Sequence, residues 1–433
     1  MVSAFEPASG APSAGILQRP LTRIVAVSVI AALLAAGSAQ AIAANEMIDI
    51  GSRPGDLIDR MEPGKLRDRL DQCRGNKAER TDFSIGHRGA PLRFPEHTLE
   101  SYQAAARQGA GILECDVTFT SDRELVCRHS QCDLHTTTNI LEIPHLAAKC
   151  SEPFTPWDAA SGKSANARCC TSDLTLAEFR ELKGKVDNFN PRATTVAEYV
   201  AGVAGWRGEP LISRGTLMTH AESIALFAEL GVKMTPELKS PQVKMPWQGN
   251  YTQQDYAQQM IDEYRAAKVK PGEVWVQSFN LDDLKYWIEN EPEFAKQAVY
   301  LDRRVYARES FRPSEADFER LRREGVEIVA PPMFALLALS AEGKIVPSKY
   351  AELARAAQLD IITWTIERSD LRHGAVSGNG KTTFYYRGIG EVVTREGDLY
   401  KALDVLAKDV GIEGIFSDWP ATVTFYANCM GIE

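Results

Sequence analysis

The stretch that decides the fold is IGHRGAPLRFPEHTLESYQAAARQGAGILECDVTFTSDRELVCRH, residues 85–129. It opens at the end of a short apolar run, Phe83 to His87, and passes through an amphipathic segment from Thr98 that stops at Gly109. It then enters a second apolar run from Ile112 to Phe119. That order reads as strand, helix, strand, with glycine as the helix stop. His87 and Arg88 end the first strand, Glu114 and Asp116 lie two apart on the second, and His129 ends a further strand-like run from Leu125. Residues i and i+2 of a strand share a face, so the two acids point the same way. Two histidines, an arginine and a carboxylate pair are what metal-assisted attack on a phosphodiester requires.

Outward from this unit the same rhythm continues. Further strands are expected at Val232 to Leu238, Val274 to Phe279, Ala298 to Leu301, Glu327 to Ala330, Ile361 to Ile366 and Gly414 to Ser417. Helical patterns lie between most of them, at Tyr251 to Ala267, Ser314 to Glu324, Lys349 to Gln358 and Leu399 to Asp409. Such alternation implies a mainly parallel sheet, and eight strand openers imply an α/β fold of the (β/α)8 TIM barrel type. A doubly wound sheet is the alternative, but no GxGxxG motif follows the first strand. Residues 130–231 break the rhythm with Cys132, Cys150, Cys169 and Cys170. A structureless loop of that length is foreign to a compact domain. The expectation is a cysteine-rich inserted subdomain over the barrel mouth, after the second barrel strand. The domains expected are therefore a signal peptide and short leader over 1–44, an N-terminal extension over 45–80, and a barrel over 81–433 that contains the insertion.

The chain has 433 residues, 44% hydrophobic and 25% charged, an ordinary globular composition. Its net charge of -9 argues against nucleic-acid binding, because no basic surplus is present to neutralise phosphates. Near the N-terminus, Arg19 and Arg23 precede the apolar run Ile24 to Ala36, and the small residues Ser38-Ala39-Gln40-Ala41 follow. This is the layout of an export signal. The run falls short of the roughly 20 residues of a comfortable span, so no stable membrane span is expected after cleavage, and a periplasmic or secreted protein is. An uncleaved anchor is the alternative. Eight cysteines suit that compartment, an even number that favours disulfides. Zinc is the rival reading, but no CxxC pair is present. Adjacent Cys169 and Cys170 are expected to take different partners, and Cys73 and Cys429 to tie the ends of the barrel. The full connectivity stays open, as does the oligomeric state.

The third barrel strand ends in Pro236-Glu237-Leu238-Lys239, which adds a carboxylate and an ammonium on one face. Glu114, Asp116 and Glu237 together suit one hard divalent cation with oxygen ligands, calcium outside the cytoplasm, with magnesium the alternative. The competing reading pairs these acids with Arg or Lys at the barrel rim. His87 and His129 are the proton-transfer pair, since imidazole titrates near neutrality. Arg88 is placed to hold a phosphate through two parallel hydrogen bonds, and Lys239 to add a point charge against developing negative oxygens. A plain salt bridge to Glu237 is the other reading for Lys239. Gln277 and Trp364 end strands and are candidate pocket residues. His97 is a candidate supporting residue, and the remaining histidines read as structural.

Taken in order, His87-Arg88-Gly89-Ala90, Pro95-Glu96-His97-Thr98, Glu114-Cys115-Asp116, His129, Pro236-Glu237-Leu238-Lys239 and Phe416-Ser417-Asp418-Trp419-Pro420 closely resemble the glycerophosphodiester phosphodiesterase family, in its exported periplasmic form. The resemblance implies a TIM barrel that hydrolyses deacylated phospholipids, such as glycerophosphocholine, to sn-glycerol 3-phosphate and an alcohol. It also implies metal ligands at Glu114, Asp116 and Glu237, an acid-base pair at His87 and His129, and Arg88 on phosphate. The expected partner is thus a small glycerophosphodiester. One departure stands out: the family usually has His-Asp at the second histidine, and this chain has His129-Ser130. Two alternatives are a phospholipase D-like activity on lysophospholipid or sphingomyelin and noncatalytic binding of envelope glycerophosphate polymers. A lipid substrate calls for an exposed apolar rim, and the sequence displays no obvious aromatic cluster to form one.

Overall fold

In the computed structural model of the protein, residues 47–307 and 311–432 are described. The expected export signal lies outside them. Nine strands form the main sheet: β1 (Thr81–Gly86), β2 (Ala110–Phe119), β3 (Leu125–Cys127), β4 (Lys233–Leu238), β5 (Gln277–Ser278), β6 (Val299–Tyr300), β7 (Ile328–Val329), β8 (Asp360–Ile366) and β9 (Gly414–Ser417). Eight of them are parallel and neighbour one another in chain order from β2 through β4 to β9, and β1 pairs with both β9 and β2. That double pairing closes the barrel. β3 is the exception, an antiparallel addition to β2 with Val117 opposite Cys127.

The closed sheet explains why β2 is buried along all ten residues. Its alternate side chains divide between two apolar environments. Leu113, Cys115, Val117 and Phe119 enter the core between barrel and helices. Ile112 enters the barrel interior with Ile85, Val299, Ile328, Ile362 and Phe416. Glu114 and Asp116 continue the Ile112 row, so pleat parity carries both acids inward near the C-terminal end of the strand. β4 runs in register with β2, setting Asp116 opposite Glu237. The third carboxylate is therefore delivered by the neighbouring strand at the same height.

The helix Leu99–Arg107 follows β1, capped by the Thr98 hydroxyl, which accepts from Ser101 N. Gly89, at φ 91°, lets the β1 turn lie on this helix; a Cβ there would sit 2.4 Å from Ser101 Oγ.

The cysteine-rich insertion follows β2 and β3 and carries its own core, in which Leu134, Ile140, Phe179 and Tyr199 are buried. Helix His220–Leu230 instead turns Ile224, Leu226 and Phe227 into the main core. Two disulfides, Cys132–Cys170 and Cys150–Cys169, staple the insertion, so the adjacent cysteines do take different partners. Cys115–Cys127 joins β2 to β3, and Cys73–Cys429 ties the N-terminal extension to the last helix, Pro420–Met430. Among the described residues no cysteine is free, and no helix is long and apolar enough to cross a membrane.

Candidate active site

At the C-terminal mouth of the barrel a cavity of about 480 Å³ is lined by His87, Arg88, Glu114, His129, Glu237, Lys239, Gln277 and Trp364. Asp116 lies behind this surface, fully buried. All nine residues singled out from the sequence thus meet in one place, as barrel folds arrange residues from separate strand ends.

Oxygen atoms of Glu114, Asp116 and Glu237 all lie within 4.8 Å of one another. Burial and the two neighbouring acids push the Glu114 carboxyl well above its ordinary range, and burial, with Asp116 adding, pushes Glu237 up to about 8. Asp116, although buried, is held low by Lys239 and His97. The Lys239 ammonium lies 2.6 Å from Glu237 and 3.7 Å from Asp116, and Arg88 Nε lies 3.6 Å from Asp116, so two cations face three carboxyl groups. Asp116 Oδ1 is buried and accepts no hydrogen bond. Converging, under-neutralised carboxylate oxygens with a spare lone pair fit a hard divalent cation, and nothing in the trio suits a soft one.

These acids are held in place. Glu114 accepts from the Arg88 backbone N–H at 2.9 Å and from Gln277 Nε2 at 3.0 Å. Gln277 therefore orients a carboxylate as well as lining the pocket. Asp116 Oδ2 accepts from His97 Nε2 at 2.8 Å, and the Tyr102 hydroxyl donates to His97 Nδ1, also at 2.8 Å. Both Arg88 and His97 have left-handed backbones, φ 58° and 54°, uncommon for such residues and found where surrounding structure over-determines the chain.

His87 donates from Nδ1 to Asp418 Oδ1 at 2.6 Å, and Asp418 Oδ2 accepts from Arg368 at 2.9 Å. Burial and then Arg88 bring the His87 pKa down to about 4 despite Asp418, so the ring is neutral with its Nε2 lone pair free. His129 is also pushed well below its ordinary value, by burial, Arg88 and Lys239. Arg88 Nη1 donates to both Glu96 oxygens, at 3.2 and 3.1 Å, so that side of the guanidinium is already engaged. Glu96 also neighbours Arg368 at 3.5 Å and Arg128 at 3.8 Å.

Four contributors escaped the sequence reading as site residues: Asp418, Arg368, Glu96 and Asp133. Asp418 and Glu96 stand within quoted motifs, but their partners, 331 and 8 residues away, are visible only in space. Asp133 bears on the Ser130 departure. Its carboxylate, the Glu96 carboxylate and a His129 ring nitrogen lie within 4.8 Å of one another, and Asp133 Oδ2 accepts from Ser130 N at 2.9 Å. A carboxyl group is therefore present near His129, supplied from four residues on, and burial, with Glu96 adding, raises it to about 7.

The sequence displays no obvious aromatic cluster for an exposed rim, and the structure assembles one along the cavity. Phe279, Tyr306, Trp364, Phe384 and Tyr385 line one cavity with centroid separations of 4.9 to 6.4 Å between successive rings. They come from four separate segments, so no local window displays them. 

A family model described as the glycerophosphoryl diester phosphodiesterase family matches residues 87–422. An Arthroderma benhamiae relative, named only as an extracellular protein, is 45% identical over 249 residues, 57% of this chain and 100% of that one. A Bacillus subtilis glycerophosphodiester phosphodiesterase is 39% identical over 57 residues, 13% of this chain and 19% of that protein. Among solved structures, one from Silicibacter pomeroyi, assigned by name to the glycerophosphoryl diester phosphodiesterases, superposes with a TM-score of 0.52. Its identity is 18%, covering 83% of this chain and 98% of that one, a likeness of fold. The family match covers most of the chain and begins at His87 itself: the protein belongs to the glycerophosphoryl diester phosphodiesterase family and is a phosphodiesterase.

Proposed function

We propose that the protein hydrolyses glycerophosphodiesters to sn-glycerol 3-phosphate and an alcohol, in the periplasm or outside the cell, with calcium at Glu114, Asp116 and Glu237. The observation that carries the reading is His87, neutral and braced by Asp418, in the same cavity as three converging acids and a second histidine. A divalent cation bound there supplies Lewis-acid charge to a phosphate oxygen. His87 Nε2 takes the proton of the incoming oxygen, and Asp418 stabilises the imidazolium that results. His129 returns a proton to the departing alkoxide as the P–O bond breaks. The free edge of Arg88 and the Lys239 ammonium bind the phosphate. Glu96, buried yet held ionised by Arg88 and Arg368, favours the charged form of His129 once a phosphate dianion-like charge develops beside it.

Export is supported by the four disulfides and by the extracellular name of the Arthroderma benhamiae relative. The test is release of glycerol 3-phosphate from a panel of diesters with calcium and its loss on chelation. Absence of turnover across the panel with either calcium or magnesium refutes the reading. The aromatic wall favours one second reading, cleavage of lysophospholipid. Parallel assays on soluble diesters and on lysophospholipid in vesicles decide between them. Noncatalytic binding is set aside by membership of a phosphodiesterase family.

A further inference from the structure

We propose that the cavity selects diesters whose alcohol carries an ammonium group, and that Asp187 is the residue that selects it. This rests on the hydrolase reading above. The inference starts from the balance of charge around the cavity. Arg88 is paired with Glu96, Arg368 with Asp418, and Lys239 with Glu237. Two charged side chains of the lining, Asp187 and Arg303, have no ion pair or hydrogen bond among the described residues.

These two differ in how they are held. Arg303 is exposed and also borders a neighbouring depression with Arg304, Ser240 and Asn280. Asp187 is half-buried on a clamped loop of the insertion. The buried Lys185 ammonium donates to Thr136 O at 2.8 Å, Val186 O at 3.0 Å and Asn188 O at 2.6 Å, which are the carbonyls on either side of Asp187 and one opposite. Backbone bonds from Lys185 N to Thr137 O and from Asn188 N to Thr136 O complete the clamp. The insertion thus presents one preorganised carboxylate to the cavity, within electrostatic reach of Lys185 and His135 but in no direct ion pair among the described residues.

The aromatic rings share that cavity. Trp364 meets Tyr306 and Tyr385 edge-on at 6.4 and 6.1 Å, and Phe384, whose face already carries Arg387 at 4.5 Å, meets Tyr385 at 4.9 Å, so ring faces turn in several directions. Aromatic faces with one carboxylate are the chemistry that recognises an alkylammonium, through ring quadrupole and full charge together. An anionic alcohol would bring like charge against Asp187, and a neutral one would leave it desolvated without a partner.

The experiment compares wild type with Asp187→Asn on glycerophosphocholine, glycerophosphoethanolamine, glycerophosphoglycerol and glycerophosphoinositol, with calcium. Calorimetric titration with tetramethylammonium is run on both proteins, and melting transitions confirm that both are folded. The expected result is a wild-type preference for the two ammonium-bearing diesters. In the variant, the kcat/KM ratio of ammonium-bearing to uncharged diesters should fall roughly tenfold, about 1.4 kcal/mol, chiefly through KM. An unchanged ratio, or a wild-type preference for glycerophosphoglycerol or glycerophosphoinositol, overturns the inference. If no diester is turned over, the hydrolase reading fails by itself. Tetramethylammonium binding weakened by Asp187→Asn would then still support this inference, and equal or absent binding would overturn it.

Discussion

Replacing Asp418 by Asn tests the proposed role of His87 most sharply. The two side chains have the same shape, and Asp418 is fully buried, so the change is one of charge and proton placement. Asp418 Oδ2 accepts from Arg368 at 2.9 Å, and Arg368 has only donors to offer. The amide oxygen must therefore face Arg368, which turns the amide NH2 toward His87 Nδ1. That nitrogen then becomes the acceptor and Nε2 carries the proton, so the imidazole meets the incoming oxygen with no lone pair. A wrong-tautomer defect of this kind lowers kcat by roughly 10³ to 10⁴-fold with little change in KM. Arg368 keeps Glu96 at 3.5 Å, so the cost in stability should sit at the low end of that for an uncompensated buried charge, about 3 kcal/mol. Glycerol 3-phosphate release gives kcat, and thermal melting shows that the variant is folded. The sign with pH is fixed as well. The wild-type base is active above the His87 pKa of about 4 and is lost as pH falls through it. Removing the Asp418 charge can only lower that value further, so raising the pH will not rescue the variant. A folded Asp418→Asn protein with kcat within about tenfold of wild type would refute the reasoning.

Three further outcomes are expected. In the metal-free protein Glu237 titrates at about 8 against an unfolded value near 4.5. The folded state therefore holds more protons than the unfolded across that window, and metal-free stability falls as pH rises through it. Calcium must displace those protons, so its affinity should rise from pH 5.5 to pH 8, with proton release visible as buffer-dependent binding heats; pH-independent affinity would contradict this. Asp133→Asn removes a carboxyl that titrates at about 7, so the pH–rate profile should lose its inflection near that value. An unmoved pH–rate profile would remove Asp133 from the site. Cys73→Ser with Cys429→Ser should lower stability by roughly 2–5 kcal/mol, read from denaturant midpoints, while calcium-dependent kcat is retained.

Much of the barrel was legible because its cues are local. β2 and β4 show in sequence as apolar runs with acids two apart or paired with a lysine, and pleat parity turns that spacing into a shared face. Short strands were harder to bound: β5 has two paired residues where an apolar run of six was expected, since beyond that point only the barrel neighbours determine pairing. The segment Leu125 to His129 was expected as a strand, and it is one as far as Cys127. Its antiparallel direction depends on the turn at Ser121 and Asp122 folding it back on β2.

By itself, the sequence determined the composition of the chemistry: which side chains stand at strand ends, the parity that sets Glu114 with Asp116 and Glu237 with Lys239 on shared faces, and the order of motifs that marks the family. These properties follow from period-two geometry and from chain order, which no tertiary contact can alter. Only the tertiary structure decided who restrains whom. Asp418 reaches His87 because β9 lies beside β1, Gln277 reaches Glu114 past the intervening β4, and Asp133 comes near His129 through a turn that a single motif position does not reveal. The aromatic wall and the Asp187 loop belong to the same class. Their members are scattered along the chain, and only closure of the barrel and folding of the stapled insertion bring them to one cavity.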